Sequence, residues 1–426
     1  MGGPVASTRL KFCSEFVNAK CLAGALHWHE KFYHESALQS EGQTDTDMPL
    51  VDAGRSSPLV RSYMPELDSL RGVAILLVLF FHGMVPVQNA ELSRVGKIIF
   101  AVSQYGWVGV NLFFVLSGFL ITGILMDSRG RQDYYQRFYL RRALRILPAL
   151  YAILLLLLVG GWIQWRFLLL SAVFLANSAP LLGVPLQYGP LWSLAVEEHF
   201  YLLWPALIRR LSLRGVTLSI AVILVASPLF REIGFALAHY PQNFAPLYTW
   251  SNLDGLALGA LLAIWLRQPG FRRVQLSQVA LPLLFAGVAG FVLIARHPRA
   301  DAAFAATACN LASAGFLSCV LLLGSSRWSF LVERPALKFL GFISYGLYLV
   351  HLLAFRLAEI LFSRWLSVLI WSGRPTAAML LRFVAGSILA MVIAYVSRRS
   401  LEEKFLRMGF ASRHVEVRSV GESQPV

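Results

Sequence analysis

The chain has 426 residues, of which 57% are hydrophobic and 14% charged, against about a quarter charged in an ordinary soluble domain. That composition excludes the two or three soluble domains the length alone would permit. The net charge of +15 does not point to nucleic acid. The basic residues sit in short loops between apolar runs, where they orient a membrane protein, and not on one face of a polar domain.

In chain order, residues 1–60 are polar and without helical periodicity, and are expected to form a disordered cytoplasmic tail. This tail carries Cys13, Cys21, His27, His29 and His34, whose spacing matches no common zinc pattern, so no metal is expected. Cys309 and Cys319 lie in one apolar run, and neither cysteine pair reads as a disulfide framework. Residues 61–408 are expected to be the transmembrane domain, and 409–426 a second polar cytoplasmic tail.

Ten apolar runs predict ten spanning helices: 67–87, 98–126, 147–163, 191–208, 216–230, 248–266, 279–295, 303–323, 339–361 and 378–396. Helices are the expected spanning form because backbone groups cannot stay unpaired in hydrocarbon. The stretch 167–180 is short for a span, and 181–190 is rich in Gly and Pro, so this part is expected to be re-entrant. The predicted fold is therefore an all-α, polytopic transmembrane bundle of about ten spans with one short re-entrant segment. The loop 127–146 carries Arg129, Arg131, Arg137, Arg141, Arg142 and Arg145, opposed only by Asp127 and Asp133. By the positive-inside rule that loop is cytoplasmic, and both termini are then cytoplasmic too. Counting 167–180 as a span would place the later basic clusters outside.

Several runs carry polar groups that a purely lipid-facing helix would avoid. Arg71 and His82 are eleven residues apart, so on a helix they share a face within about 20° and stand about 16 Å apart along the axis. Asp68 lies on the same face. Such a stripe suits a water-filled or protein-lined cavity. In 110–119, Ser117 and Gly118 fit close helix packing as readily as chemistry. Arg142 and Arg145 project to one side if helical; they could hold phosphates of coenzyme A, or simply orient the loop. The segment 191–201 brings Trp192, Glu197, Glu198 and His199 into a span. Asp254 lies in another span, and Ser344, Tyr348 and His351 share a face of a further one. Together these suggest one polar cavity shared by at least four spans.

Taken in order, these segments resemble the acyltransferase-3 family of inner-membrane O-acyltransferases over residues 62–407. The resemblance rests on Leu67-Asp68-Ser69-Leu70-Arg71-Gly72 with His82, Phe113 to Phe119, Arg142 with Arg145, Trp192 to Glu198, the Asp254 span, and Ser344 to His351. Asn252 stands where the family often has Arg before the Asp, which argues against a charge pair at Asp254. The chain is expected to be a stand-alone member without a fused esterase-like domain.

The resemblance implies transfer of an acyl group, by default acetyl, from cytoplasmic acyl-CoA (acetyl-CoA). The implied acceptor is a hydroxyl of a glycan, a lipid-linked sugar or a small hydroxylated molecule. Arg71, Arg142 and Arg145 would bind the nucleotide end. His82 would act as general base or transient acyl carrier, with Glu197 or Asp68 orienting its ring. Ser117, Trp192, Tyr348 and His351 would contact the acceptor. The implied location is the cytoplasmic (inner) membrane. The alternative is a secondary transporter, but transporters commonly repeat their halves, and no such repeat is visible.

Overall fold

The computed structural model describes residues 59–61, 63–236, 247–294 and 301–405. The expected tails lie almost wholly outside the described residues, as do Cys13, Cys21 and the histidines between them and residue 35.

Among the described residues every regular element is helical. The helices are α1 (Pro65–Gly83), α2 (Arg94–Ser103), α3 (Val108–Asp127), α4 (Tyr134–Val159), α5 (Trp165–Ala172), α6 (Leu191–Arg210) and α7 (Leu213–Ala236). They continue with α8 (Leu253–Trp265), α9 (Arg273–Ile294), α10 (Asp301–Gly324), α11 (Pro335–Leu361), α12 (Ser363–Trp371) and α13 (Pro375–Ser397). Local sequence explains several starts. Pro65, Pro335 and Pro375 open α1, α11 and α13, where a missing N–H costs nothing. Glu66 and Asp68 fill the first turn of α1, at the positive end of the helix dipole.

Among the described residues, seven helices are long and apolar enough to cross a membrane: α2 running on into α3, α4, α7, α9, α10, α11 and α13. The other three expected spans fall on α1, α6 and α8. Two of these, α1 with 19 residues and α6 with 20, have the length, but their charged residues lower the hydropathy. The third, α8, has only 13 residues. Some helices lie inside the bundle and others at its periphery. On α8, Asp254, Leu256, Ala257, Ala260 and Ala263 are wholly buried. By contrast, α7 and α9 turn Leu218, Val222, Val225, Phe285 and Leu293 outward, as lipid-facing helices do.

The stretch 127–146, expected as a loop, is helical from Tyr134 onward. With 26 residues at 1.5 Å each, α4 is about 39 Å long against a hydrocarbon core of about 30 Å. The excess of about 9 Å corresponds to about its first six residues, Arg137 among them, and Arg141, Arg142 and Arg145 follow about 10–17 Å along the helix. The expected re-entrant stretch is α5, with eight residues, followed by a 3-10 turn at Ala176–Leu182. Eight residues rise about 12 Å, too little to cross.

Two close crossings set the frame. Against α8, α3 packs so tightly that a Cβ on Gly118 would lie 1.9 Å from the Leu256 carbonyl oxygen, and one on Gly259 1.9 Å from that of Val115. Where α1 meets α11, a Cβ on Gly341 would lie 1.9 Å from the Asp68 oxygen and one on Gly72 2.2 Å from the Leu337 oxygen. Small residues let membrane helices approach in this way. Asp254 proves to be ion-paired after all. Its partner is Arg231 of α7, at 2.8 Å, and both side chains are essentially inaccessible. Thr307 of α10 bonds both members of the pair. Asn252 therefore does not decide whether Asp254 is paired, because the partner comes from another helix.

Candidate active site

A cavity of about 380 Å³ runs between α1, α3, α4, α6 and α11. Helix geometry explains its wall. From α3 come Val110, Phe113, Phe114, Ser117, Leu120, Ile121, Ile124 and Asp127, spaced three and four apart on one face. Over 17 residues that face extends about 25 Å. From α6 come Ser193, Glu197 and Tyr201, each four apart. Asp68 and Arg71 of α1, Arg142 and Arg145 of α4, and Ser344, Tyr345 and Tyr348 of α11 complete it.

One end of the cavity is basic. Arg61, Arg71, Arg142, Arg145 and Arg267 line it against Asp68, Asp127 and Glu197. Some of that charge is paired internally: Arg71 with Asp68 at 3.0 Å, and Arg267 with Asp127 at 2.8 Å. Arg142 is held differently. Its guanidinium carbon lies 3.4 Å from the centre of the Tyr201 ring, a cation–π stack. Its Nε is buried without a hydrogen-bond partner among the described residues. A buried donor left unpaired is costly, so this atom is suited to an anionic ligand entering the cavity.

Glu197 accepts a hydrogen bond from the Ser117 hydroxyl at 2.8 Å and lies one helical turn before Tyr201 on α6. It therefore braces the wall between α3 and α6. At the far end, Ser193 Oγ and the Tyr348 hydroxyl lie 2.5 Å apart. Beyond them stand two histidines. The His351 ring centre is 5.7 Å from that of Tyr348, and its Nε2 lies 3.2 Å from Nδ1 of His82. The backbone under His82 is fixed as well. Arg382 of α13 donates to the carbonyls of His82 and Gly83, at 3.1 and 2.7 Å. It is itself paired with Glu359 of α11 at 2.5 Å.

The expected site residues thus separate into groups. Asp68, Arg71, Ser117, Arg142, Arg145, Glu197 and Tyr348 all line one cavity. His82 and His351 form a contact pair behind Tyr348. Trp192 does not reach the cavity wall; it packs edge-on against Phe114 at 6.0 Å. One residue along a helix is 100° of rotation, so when Ser193, Glu197 and Tyr201 face the cavity Trp192 turns away. Neither expected orienting carboxylate touches His82. Asp68 precedes it by 14 residues on the same helix, about 21 Å of rise, and Glu197 is engaged with Ser117. The ring's partners are His351 and the Val78 carbonyl at 3.2 Å.

Sequence reasoning overlooked Ser193, Tyr201 and Arg382. The first two carried a signal, being four residues either side of Glu197. Arg382 did too, as an arginine inside an apolar run, which by default marks function in a membrane helix. Among the described residues, no group of three or more His, Cys, Asp or Glu side chains is placed to hold a metal ion.

The pattern that defines the Acyltransferase domain family matches residues 64–399. The peptidoglycan O-acetyltransferase OatA of Listeria monocytogenes is 30% identical over 171 residues, which cover 36% of this chain and 25% of the relative. The O-acetyltransferase OatA of Staphylococcus aureus is 28% identical over 258 residues, covering 54% of this chain and 40% of the relative. The chain therefore matches well under half the length of these relatives. No solved structure matches it.

Proposed function

Because the chain belongs to the Acyltransferase domain family, we propose that it moves an acyl group, acetyl by default, from cytoplasmic acyl-CoA to a hydroxyl of a glycan-like acceptor. The observation that carries this reading is a cavity that runs from arginines to Ser193 and Tyr348, with His351 and His82 in contact behind Tyr348. Arg142, with its unpaired Nε, and Arg145 and Arg71 beside it would hold phosphate oxygens of the donor. Guanidinium groups suit that task through planar, charge-assisted hydrogen bonds. The acyl end of the donor would lie up the cavity, towards Ser193 and Tyr348, which would have to part for the thioester to meet His82.

His82 would take the acceptor's hydroxyl proton as that oxygen attacks the thioester. An imidazole exchanges protons near neutrality. The basic mouth is taken as cytoplasmic and the His82 end as the outer side, in a ten-span arrangement in the inner membrane that includes α1, α6 and α8. The peptidoglycan named in the Listeria relative is the first acceptor to try, ahead of other cell-surface glycans, lipid-linked sugars and small exported molecules.

The test compares cells lacking the protein with cells complemented by wild type or by His82→Ala. Wall glycans and exported metabolites are analysed by mass spectrometry. A species that gains the mass of an acyl group only with wild type supports both the activity and the residue. Full activity in His82→Ala removes that residue from the scheme. A solute that changes compartment without any change in mass returns the transporter alternative.

A further inference from the structure

The two abutting imidazoles determine each other's protons. His351 Nδ1 lies 2.7 Å from the Tyr348 carbonyl oxygen, a group that can only accept, so Nδ1 carries the hydrogen. A neutral ring has one N–H, which leaves Nε2 of His351 as a lone pair. That lone pair faces Nδ1 of His82 at 3.2 Å. The Val78 carbonyl oxygen, a second acceptor, lies 3.2 Å from the same nitrogen. A lone pair on His82 Nδ1 would confront the Val78 oxygen, so the hydrogen belongs on Nδ1 and the free pair on Nε2. Free histidine side chains in water favour the opposite tautomer, so the arrangement has to be imposed.

We infer that His351 is a positioning residue that fixes His82 as the Nδ1–H tautomer, making Nε2 the nitrogen that receives the acceptor's proton. This rests on the reading of His82 as the base. It also reassigns His351, which is wholly buried, from contacting the acceptor to holding the residue that does. The step balances. The acceptor hydroxyl gives its proton to His82 Nε2 as its oxygen bonds to the thioester carbonyl carbon. The carbon–sulfur bond breaks, and the thiolate takes the proton back from Nε2. The products are an ester and the free thiol of coenzyme A. Throughout, Nδ1–H keeps its acceptors, so the transient imidazolium needs no reorganisation of its surroundings. Of the charged side chains near the pair, Arg382 donates to the backbone of His82 and Gly83 and to Glu359, and Glu359 also accepts from Arg356.

The test uses full-length protein in lipid nanodiscs with ¹⁵N-labelled histidine. Nitrogen shifts distinguish a protonated from an unprotonated ring nitrogen, and the His82 signals are assigned by their loss in His82→Gln. In the wild type, Nδ1 should be protonated and Nε2 not. In His351→Phe, which keeps a ring but removes the acceptor, an Nε2–H population should appear, and kcat should fall about tenfold, the worth of one ordinary hydrogen bond. The KM for acetyl-CoA should hold, because the arginines that bind it are untouched. In His351→Gln, whose amide oxygen can accept from His82, both tautomer and kcat should largely recover. A wild-type His82 protonated at Nε2 overturns the inference without reference to any variant. So does a tautomer and kcat unchanged in His351→Phe. The nitrogen shifts need no turnover, so the two readings fail separately. Full transfer by His82→Ala defeats the base, whereas loss of transfer in that variant with no effect of His351→Phe defeats only the positioning.

Discussion

Arg142, proposed above to bind the acyl-CoA donor, is held in place by its neighbours. Stacking on Tyr201 at 3.4 Å fixes the plane of the guanidinium, and the buried Nε keeps a donor in reserve. Lysine would keep the charge and lose both features, since an ammonium neither stacks as a plane nor presents a fork of donors. Arg142→Lys should therefore raise the KM for acyl-CoA about tenfold, the worth of one hydrogen bond to a charged group, with kcat little changed. Steady-state kinetics on reconstituted protein measure this, and an unchanged KM would remove Arg142 from donor binding. The pair Arg142 and Arg145 was legible in the sequence because three-residue spacing survives folding intact. The environment of His82 was not. Its partners, His351 and Arg382, lie 269 and 300 residues away, and no local pattern encodes such a distance. Asp68, on the same helical face, and Glu197 were the expected partners instead, and helix rise alone puts Asp68 out of reach.

At the scale of helices, the two glycine crossings are what bring the polar faces together. Gly118 neighbours Ser117, so the same contact that lets α3 touch α8 also points Ser117 towards Glu197. Gly118→Ala would force a methyl group against the Leu256 backbone oxygen, which cannot swing away as a side chain could. Overpacking of this kind costs about 1–3 kcal/mol and should lower the melting temperature in detergent. Gly130→Ala is the control, with open space around the added carbon, and should leave it unchanged. The Arg231–Asp254 pair makes a sharper case, because both groups are buried. Arg231→Met should destabilise by about 3–5 kcal/mol by stranding the carboxylate. Replacing Asp254 by Leu in the same protein should restore most of the loss, and a melting series of the two single variants and the double variant reads it directly. That a Ser-Gly step serves helix packing could be read from the sequence, but which helix it packs against could not.

For the whole molecule, the long unbroken apolar runs already pointed to a helical membrane bundle, since a barrel, the other structure that satisfies a backbone in hydrocarbon, is built from short alternating strands. The number of spans was harder to read for a physical reason. The helices that build the site carry its charges, and those charges erase the hydropathy signal that identifies a span; α1 and α6 lie among the buried helices while the plainly apolar α7 and α9 lie outside. Orientation then decides whether the cavity can work. α1 and α11 run parallel, with the Asp68 and Gly341 backbones in contact, so the arginine mouth lies at one end of the bundle and the α11–α12 junction at the other. In a protein freed of its own cysteines, Ser128→Cys next to the mouth should react with a membrane-impermeant maleimide only after the cells are opened. Ser363→Cys at the junction should react in intact cells. The reverse labelling would place Arg71, Arg142 and Arg145 outside, away from any pool of coenzyme A. The donor would then have to be something other than a cytoplasmic thioester, even if His82 still proved indispensable.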